Sequence, residues 1–175
     1  MKKHFLLKRI PALYWVVALL PILGLYACHI YSFTGASIDP NVKSVSIHFF
    51  PNQAQKINPA LSQQFTEALR DKFTKETALQ MQEKNGDLEF NGAITDYSIT
   101  SLGRQGNQAA ANQLSISVRV DFVNHKKETD QWSNTFTKVA TFESSQSLAA
   151  VENDLVIQIN KLLVDEIFIK AVVNW

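Results

Sequence analysis

Few side chains in this sequence are placed to do chemistry. It has one cysteine, Cys28, and four histidines, of which His29, His48 and His125 follow that cysteine. A nucleophilic or metal-binding cysteine needs a histidine or carboxylate nearby, and zinc sites need several such ligands at close spacing. A single cysteine cannot form an internal disulfide or a multi-cysteine zinc site. His48 falls on the outward phase of a β-strand and His125 in a turn, neither with a carboxylate–histidine spacing in sequence. Asp87 and Glu89 are a close pair of carboxylates whose alternate positions suit the wet face of a strand. Ser144, Ser145 and Ser147 read as helix caps rather than nucleophiles. There is no glycine-rich phosphate loop after a strand, no Gly-x-Ser-x-Gly elbow and no His-Glu-x-x-His helix. No pattern calls for a cofactor, and the expected class is not an enzyme.

Cationic side chains are the remaining candidates. Arg104 sits in a polar loop, Arg119 on the outward face of a strand, and Lys126 with Lys127 in a turn. These four are candidate contacts to a partner or an anionic lipid, though recognition of several phosphates requires that they gather in space. The formal charge of +1 over 175 residues excludes a dedicated nucleic-acid binder, which would be strongly basic.

The first segment accounts for Cys28. Lys2, Lys3, Lys8 and Arg9 precede an apolar run from Ala12 to Ala27 that Pro21 interrupts. The run is short for a membrane span, which needs about 20 apolar residues. A basic start, a short apolar core and a small residue before a cut site describe a secretory signal. Leu25-Tyr26-Ala27-Cys28 resembles a lipobox, in which the sulfur receives diacylglycerol, the signal is cut before the cysteine, and the new amine is acylated, as with palmitate. Residues 1–27 are therefore expected to be a lipoprotein signal, with 28–175 the working domain. Removing them takes four cations and no acid, so 13 basic side chains face 16 acidic ones and the charge becomes −3.

Period-two apolar alternation predicts strands, and three- and four-residue spacing predicts helices. Val45, Ile47 and Phe49 mark a first strand. Asn58-Pro59 reads as a helix start, followed by the stripe Leu61, Phe65, Leu69 and Phe73. Leu88, Phe90 and Ile94 share one strand phase, whereas Tyr97 and Ile99 have the other, which predicts a bulge near Asp96. Residues 101–113 read as a polar hairpin loop. Leu114 to Phe122 and Trp132 to Phe142 give two more strands. Leu148, Val151, Leu155, Ile159, Leu162, Leu163, Ile167 and Phe168 form the stripe of a long last helix, over about 147–171. The expected fold is α+β in the order β-α-β-β-β-α: a two-layer sandwich with both helices on one face of a four-stranded sheet. The other sheet face would carry Ser, Thr, Asn, Arg and Glu. With 12 Gln and 12 Asn beside 33 charged residues, the surface is polar with few charges, which suits enclosure in a wet, protein-lined cavity.

Several segments, in order, resemble the LptE family of lipopolysaccharide-assembly lipoproteins. They are Cys28 to Gly35, Val45 to Asn52, and Asn58 to Arg70. The likeness is strongest to its Bacteroidetes branch, through Tyr-Ser-Phe-Thr-Gly-Ala-Ser (31–37), Gly-Asp-Leu-Glu-Phe-Asn-Gly (86–92), Ser-Ser-Gln-Ser-Leu (144–148) and Ala-Val-Val-Asn-Trp (171–175). The resemblance implies a non-enzymatic, lipid-anchored protein of the outer membrane facing the periplasm. It implies a plug and assembly partner of the LptD β-barrel that helps deliver lipopolysaccharide to the outer leaflet. The family's basic lipopolysaccharide-contacting residues have no clear match here. The competing expectation is a lipoprotein that carries lipid or glycolipid itself, with no barrel partner.

Overall fold

The computed structural model describes residues 38–56, 58–103 and 110–172. Cys28, Arg104 and the segments 31–37 and 173–175 lie outside the described residues. The elements are β1 (Ser44–Ile47), α1 (Leu61–Glu76), β2 (Gln80–Gln82), β3 (Leu88–Leu102), β4 (Ala111–Asn124), β5 (Trp132–Glu143) and α2 (Leu148–Val172). They form one sheet in the order β2-β1-β3-β4-β5. β1 runs parallel to both β2 and β3, and β3, β4 and β5 form an antiparallel meander.

The class is α+β as expected, but the sheet has five strands, not four. The extra strand, β2, is Gln-Met-Gln, exposed throughout, on the edge beside β1. It carries no apolar alternation because it buries no side chain, so only its backbone pairing reveals it. The polar loop is also shorter than expected, since β3 runs to Leu102 and β4 begins at Ala111. The expected bulge is present: Ile94 pairs with Val118 and Asp96 with Ser117, leaving Thr95 unmatched.

Leu61, Phe65, Leu69 and Phe73 are fully buried in one cluster with Phe90, Ile116 and Ile159. Phe73 packs edge-on against Phe168, with ring centroids 5.1 Å apart, so helices and sheet meet through aromatic rings. Gln64 of α1 reaches Asn153 of α2, and further along Lys72 reaches Asp165, so the helices run in the same direction. Leu162, expected on the buried stripe, is 40% exposed, because α2 turns Val156, Asn160 and Val164 inward instead.

Two expectations at the first crossover fail locally. β1 ends at Ile47, and the period breaks after it, so Phe49 is exposed and Phe50 is buried. Phe50 N–H donates to Thr66 Oγ1 (3.1 Å), and Arg70 Nη2 donates to the Ile47 carbonyl (2.7 Å), so α1 holds the end of β1. A methyl group at Gly92 would fall 2.6 Å from Phe50 Cε1 and 2.0 Å from the Arg119 carbonyl oxygen, which is why a glycine stands there. α1 begins at Leu61, not Pro59: the Asn58 side chain accepts from Ala60 N–H in a turn rather than capping the helix.

Candidate partner-facing surface

The outer face of the sheet is built by the strand register. Ser115 stands opposite Val139, Ser117 opposite Thr137, Arg119 opposite Thr135, and Asp121 opposite Ser133. On β3, Ser98 lies opposite Ser115 and Thr100 opposite Gln113. Hydroxyl groups pair across the strands: Ser117 Oγ lies 2.8 Å from Thr137 Oγ1. Threonine suits such a face because its branched side chain packs on the pleat while its hydroxyl stays available. The surface expected to carry Ser, Thr, Asn and Arg does so, and its charges are largely matched internally. Arg119 Nη2 lies 3.2 Å from Asp121 Oδ1, and the Ser133 hydroxyl donates to the same carboxylate. Those bonds, Ser133 first and Arg119 next, hold the Asp121 carboxyl below its usual pKa.

The candidate cations do not gather. Arg119 is mid-strand and paired to Asp121. Lys126 Nζ lies 3.0 Å from Asp87 Oδ1, and Lys127 Nζ lies 2.9 Å from Asp130 Oδ2. From Arg119 to the strand end at Asn124 is roughly 17 Å of extended chain. The described candidates are therefore separate ion pairs, not a phosphate-binding cluster.

The register does bring together residues with no proximity in sequence. Glu89 follows Ser46's phase through the parallel β1–β3 pairing and Val123's through β3–β4. His48 and His125 lie two residues beyond those partners, on the same face. His48 Nε2 is 2.9 Å from Glu89 Oε1, and His125 Nε2 is 2.9 Å from Glu89 Oε2. Asn91 Nδ2 donates to Oε1 at 3.1 Å. The bonds from His125, Asn91 and His48 outweigh partial burial and hold the Glu89 carboxyl below its usual range. Both histidines thus have a carboxylate partner that sequence spacing does not reveal. Outward phase at His48, Glu89 and His125 is the available signal, but it locates them only once the register is known.

Asp87 performs a similar task at the strand end. Its Oδ2 accepts from Lys43 N–H (2.7 Å) and Ser44 N–H (3.1 Å), and Oδ1 faces Lys126. The Lys43 backbone bond, with Lys126 and Ser44, lowers its pKa to about 2. Ser44 and Ser46 are buried because the 86–87 turn lies over them: Asp87 N–H donates to Ser44 Oγ and Gly86 N–H to Ser46 Oγ. The two carboxylates, expected simply to solvate a strand, fasten a turn and two strands instead.

On the helix side, Tyr97 donates to Glu152 Oε1, which also accepts from Asn58 Nδ2 at 3.0 Å. Burial, then the Glu152 carboxylate, pushes the Tyr97 pKa up. Among the described residues no group of three or more His, Cys, Asp or Glu could hold a metal ion. No described helix is long and apolar enough to cross a membrane.

The chain is similar in fold to one solved lipoprotein, the minor lipoprotein from Acinetobacter baumannii, at a TM-score of 0.50 and 14% identity, covering 74% of this chain and 94% of that one. The rare lipoprotein B from Shewanella oneidensis gives a TM-score of 0.41 at 11% identity, over 73% and 88% of the two chains. At such identities the first likeness concerns the fold alone. No curated protein matches the sequence. The family LptE, Lipopolysaccharide-assembly, matches residues 42–171, from the strand before the first helix to the end of the last. With that span covering most of the chain and every described strand and helix inside or at its border, the protein belongs to the LptE family of non-enzymatic envelope lipoproteins.

Proposed function

We propose that this protein is a plug and assembly partner inside an LptD-type outer-membrane β-barrel, anchored through acylated Cys28 and assisting lipopolysaccharide delivery to the outer leaflet. The observation that carries the reading, beside family membership, is the hydroxyl face of β3, β4 and β5. A barrel lumen is polar and wet. A plug facing it needs many weak, adaptable hydrogen bonds, and few charges whose desolvation would cost more than their pairing returns. Serine and threonine hydroxyls donate and accept equally well, and Arg119 and Asp121 are already paired to each other.

The dispersed cations favour a supporting role over a lipopolysaccharide site made by this chain alone. The competing reading, a carrier with lipid between helices and sheet, needs a hollow interior. That space is filled by Phe65, Phe73 and Phe90, all fully buried, which argues against it.

The test is purification of the acylated protein from detergent extracts that keep outer-membrane complexes intact. A stoichiometric barrel of LptD type is the expected result. Recovery of Cys28-acylated protein alone under those conditions overturns the proposal.

A further inference from the structure

The chain contains two Asn-Gly pairs, Asn85-Gly86 and Asn91-Gly92. Such a pair is chemically labile, because glycine has no side chain to shield its amide nitrogen from the asparagine before it. The fold places the two pairs in different settings. Asn91-Gly92 lies inside β3, where Asn91 stands opposite Asp121 and Gly92 opposite Val120. The Asn91 amide is also engaged, since its Nδ2 donates to Glu89 Oε1 at 3.1 Å. Reaction there requires β3 and β4 to part.

Asn85-Gly86 precedes β3, in the turn that leads into it. Asn85 is exposed and has φ 57°, the left-handed conformation that asparagine tolerates better than most residues. Gly86 is buried against β1: a methyl group there would fall 2.4 Å from the Ser46 nitrogen and 2.6 Å from the Val45 carbonyl carbon. Its N–H donates to Ser46 Oγ at 3.2 Å, and the next N–H, of Asp87, donates to Ser44 Oγ at 3.0 Å. The reactive side chain is thus in water, while the nitrogen that would attack it is held by a buried hydroxyl.

We propose that Asn85 is a deamidation site whose reaction is gated by Ser46. The Gly86 nitrogen must surrender its hydrogen to a solvent base and bond to Asn85 Cγ, while the Cγ–Nδ2 bond breaks and ammonia leaves. Water then opens the succinimide at one carbonyl to give aspartate, or at the other to give isoaspartate. While the Gly86 N–H is bound to Ser46 in a space closed to water, no base reaches it. The turn must first lift from β1, a local opening smaller than unfolding of the sheet. The isoaspartyl product is one-way. It lengthens the main chain by one carbon directly before a glycine that has no room to shift, so the turn does not dock again on Ser44 and Ser46. The inference is independent of the barrel reading.

The detergent-purified full chain, held in warm, mildly alkaline buffer, is compared with the same chain in concentrated urea. Peptide mass mapping reads each asparagine, and enzymatic methylation reads isoaspartate. In urea both sites should react alike. In the folded parent both should slow, with Asn85 reacting faster than Asn91, because rates follow the open population. Ser46→Ala leaves the Gly86 N–H buried without its acceptor and should speed Asn85 by about three- to tenfold, with Asn91 unchanged. Asp87→Asn weakens the hold on the Lys43 and Ser44 N–H groups and should act in the same direction, so it reports if the first variant fails to fold. Equal rates at Asn85 in the folded parent and in urea overturn the proposal, as does a folded parent in which Asn91 reacts as fast as Asn85. So does a folded variant that leaves Asn85 unchanged or speeds both asparagines together. Unfolding of both variants also overturns it, because the turn would then have no opening of its own.

Discussion

His125 Nε2 sits 2.9 Å from Glu89 Oε2, and this bond ties the turn after β4 to the middle of the sheet across 36 residues of sequence. The other oxygen of the same carboxylate holds His48 at the exit of β1. One side chain therefore fastens the parallel half of the sheet to the antiparallel half. Glu89→Gln keeps the shape but loses the charge that strengthens these bonds. Its side chain is 21% exposed, so the expected loss is about 1–2 kcal/mol, smaller than for a fully buried pair. Chemical denaturation should show a lower midpoint with an unchanged slope. An unaltered midpoint would show the cluster to be ornamental.

Asp87 predicts an acid limit. Its folded pKa, about 2, lies below the ordinary aspartate value of 3.8, so folding favours the ionised form. The stabilisation it contributes is complete above pH 4 and is lost as the pH falls towards 2. Asp87→Asn should lower stability at neutral pH and flatten the fall of melting temperature between pH 4 and 2. A variant with the same acid slope as the parent would refute the assignment.

Phe73 is the joint of the two layers. It is fully buried, with its ring against Phe90 at 4.9 Å and Phe168 at 5.1 Å between centroids. Truncation to alanine should cost about 3–5 kcal/mol through lost contacts and a cavity. Domains of this size have about 5–15 kcal/mol in total, so the variant should be folded only marginally at 37 °C. Exposure of apolar surface to a fluorescent dye on warming would reveal this.

Thr137 tests the partner-facing sheet. It is exposed and faces Ser117 across the strands. Thr137→Glu should leave thermal stability within about 0.5 kcal/mol, as surface substitutions do. It should sharply reduce barrel recovery in the detergent purification, because a new carboxylate must shed water there without a partner. Full recovery would move the contact surface elsewhere on the molecule.

Much of the fold is legible from local pattern. The stripe Leu61, Phe65, Leu69 and Phe73 and the alternation Leu114 to Phe122 are buried as read, and the change of phase between Ile94 and Tyr97 marks the bulge. These features are set within one or two turns or strand repeats, where burial demands apolar residues at a fixed period. The site residues fare differently. Arg119, Lys126 and Lys127 are identifiable as exposed cations, but their separation and their acidic partners are not.

By itself the sequence determines which faces turn inward, the order of the main elements, and the LptE resemblance that the match over residues 42–171 bears out. Only the tertiary structure decides the edge strand β2, the meeting of His48, Glu89 and His125, and the burial of Asn160 on the long last helix. The physical reason is register. Period two tells which way a side chain points, but which distant residue stands beside it depends on how whole strands and helices align, and that alignment is settled by the packing of all of them at once.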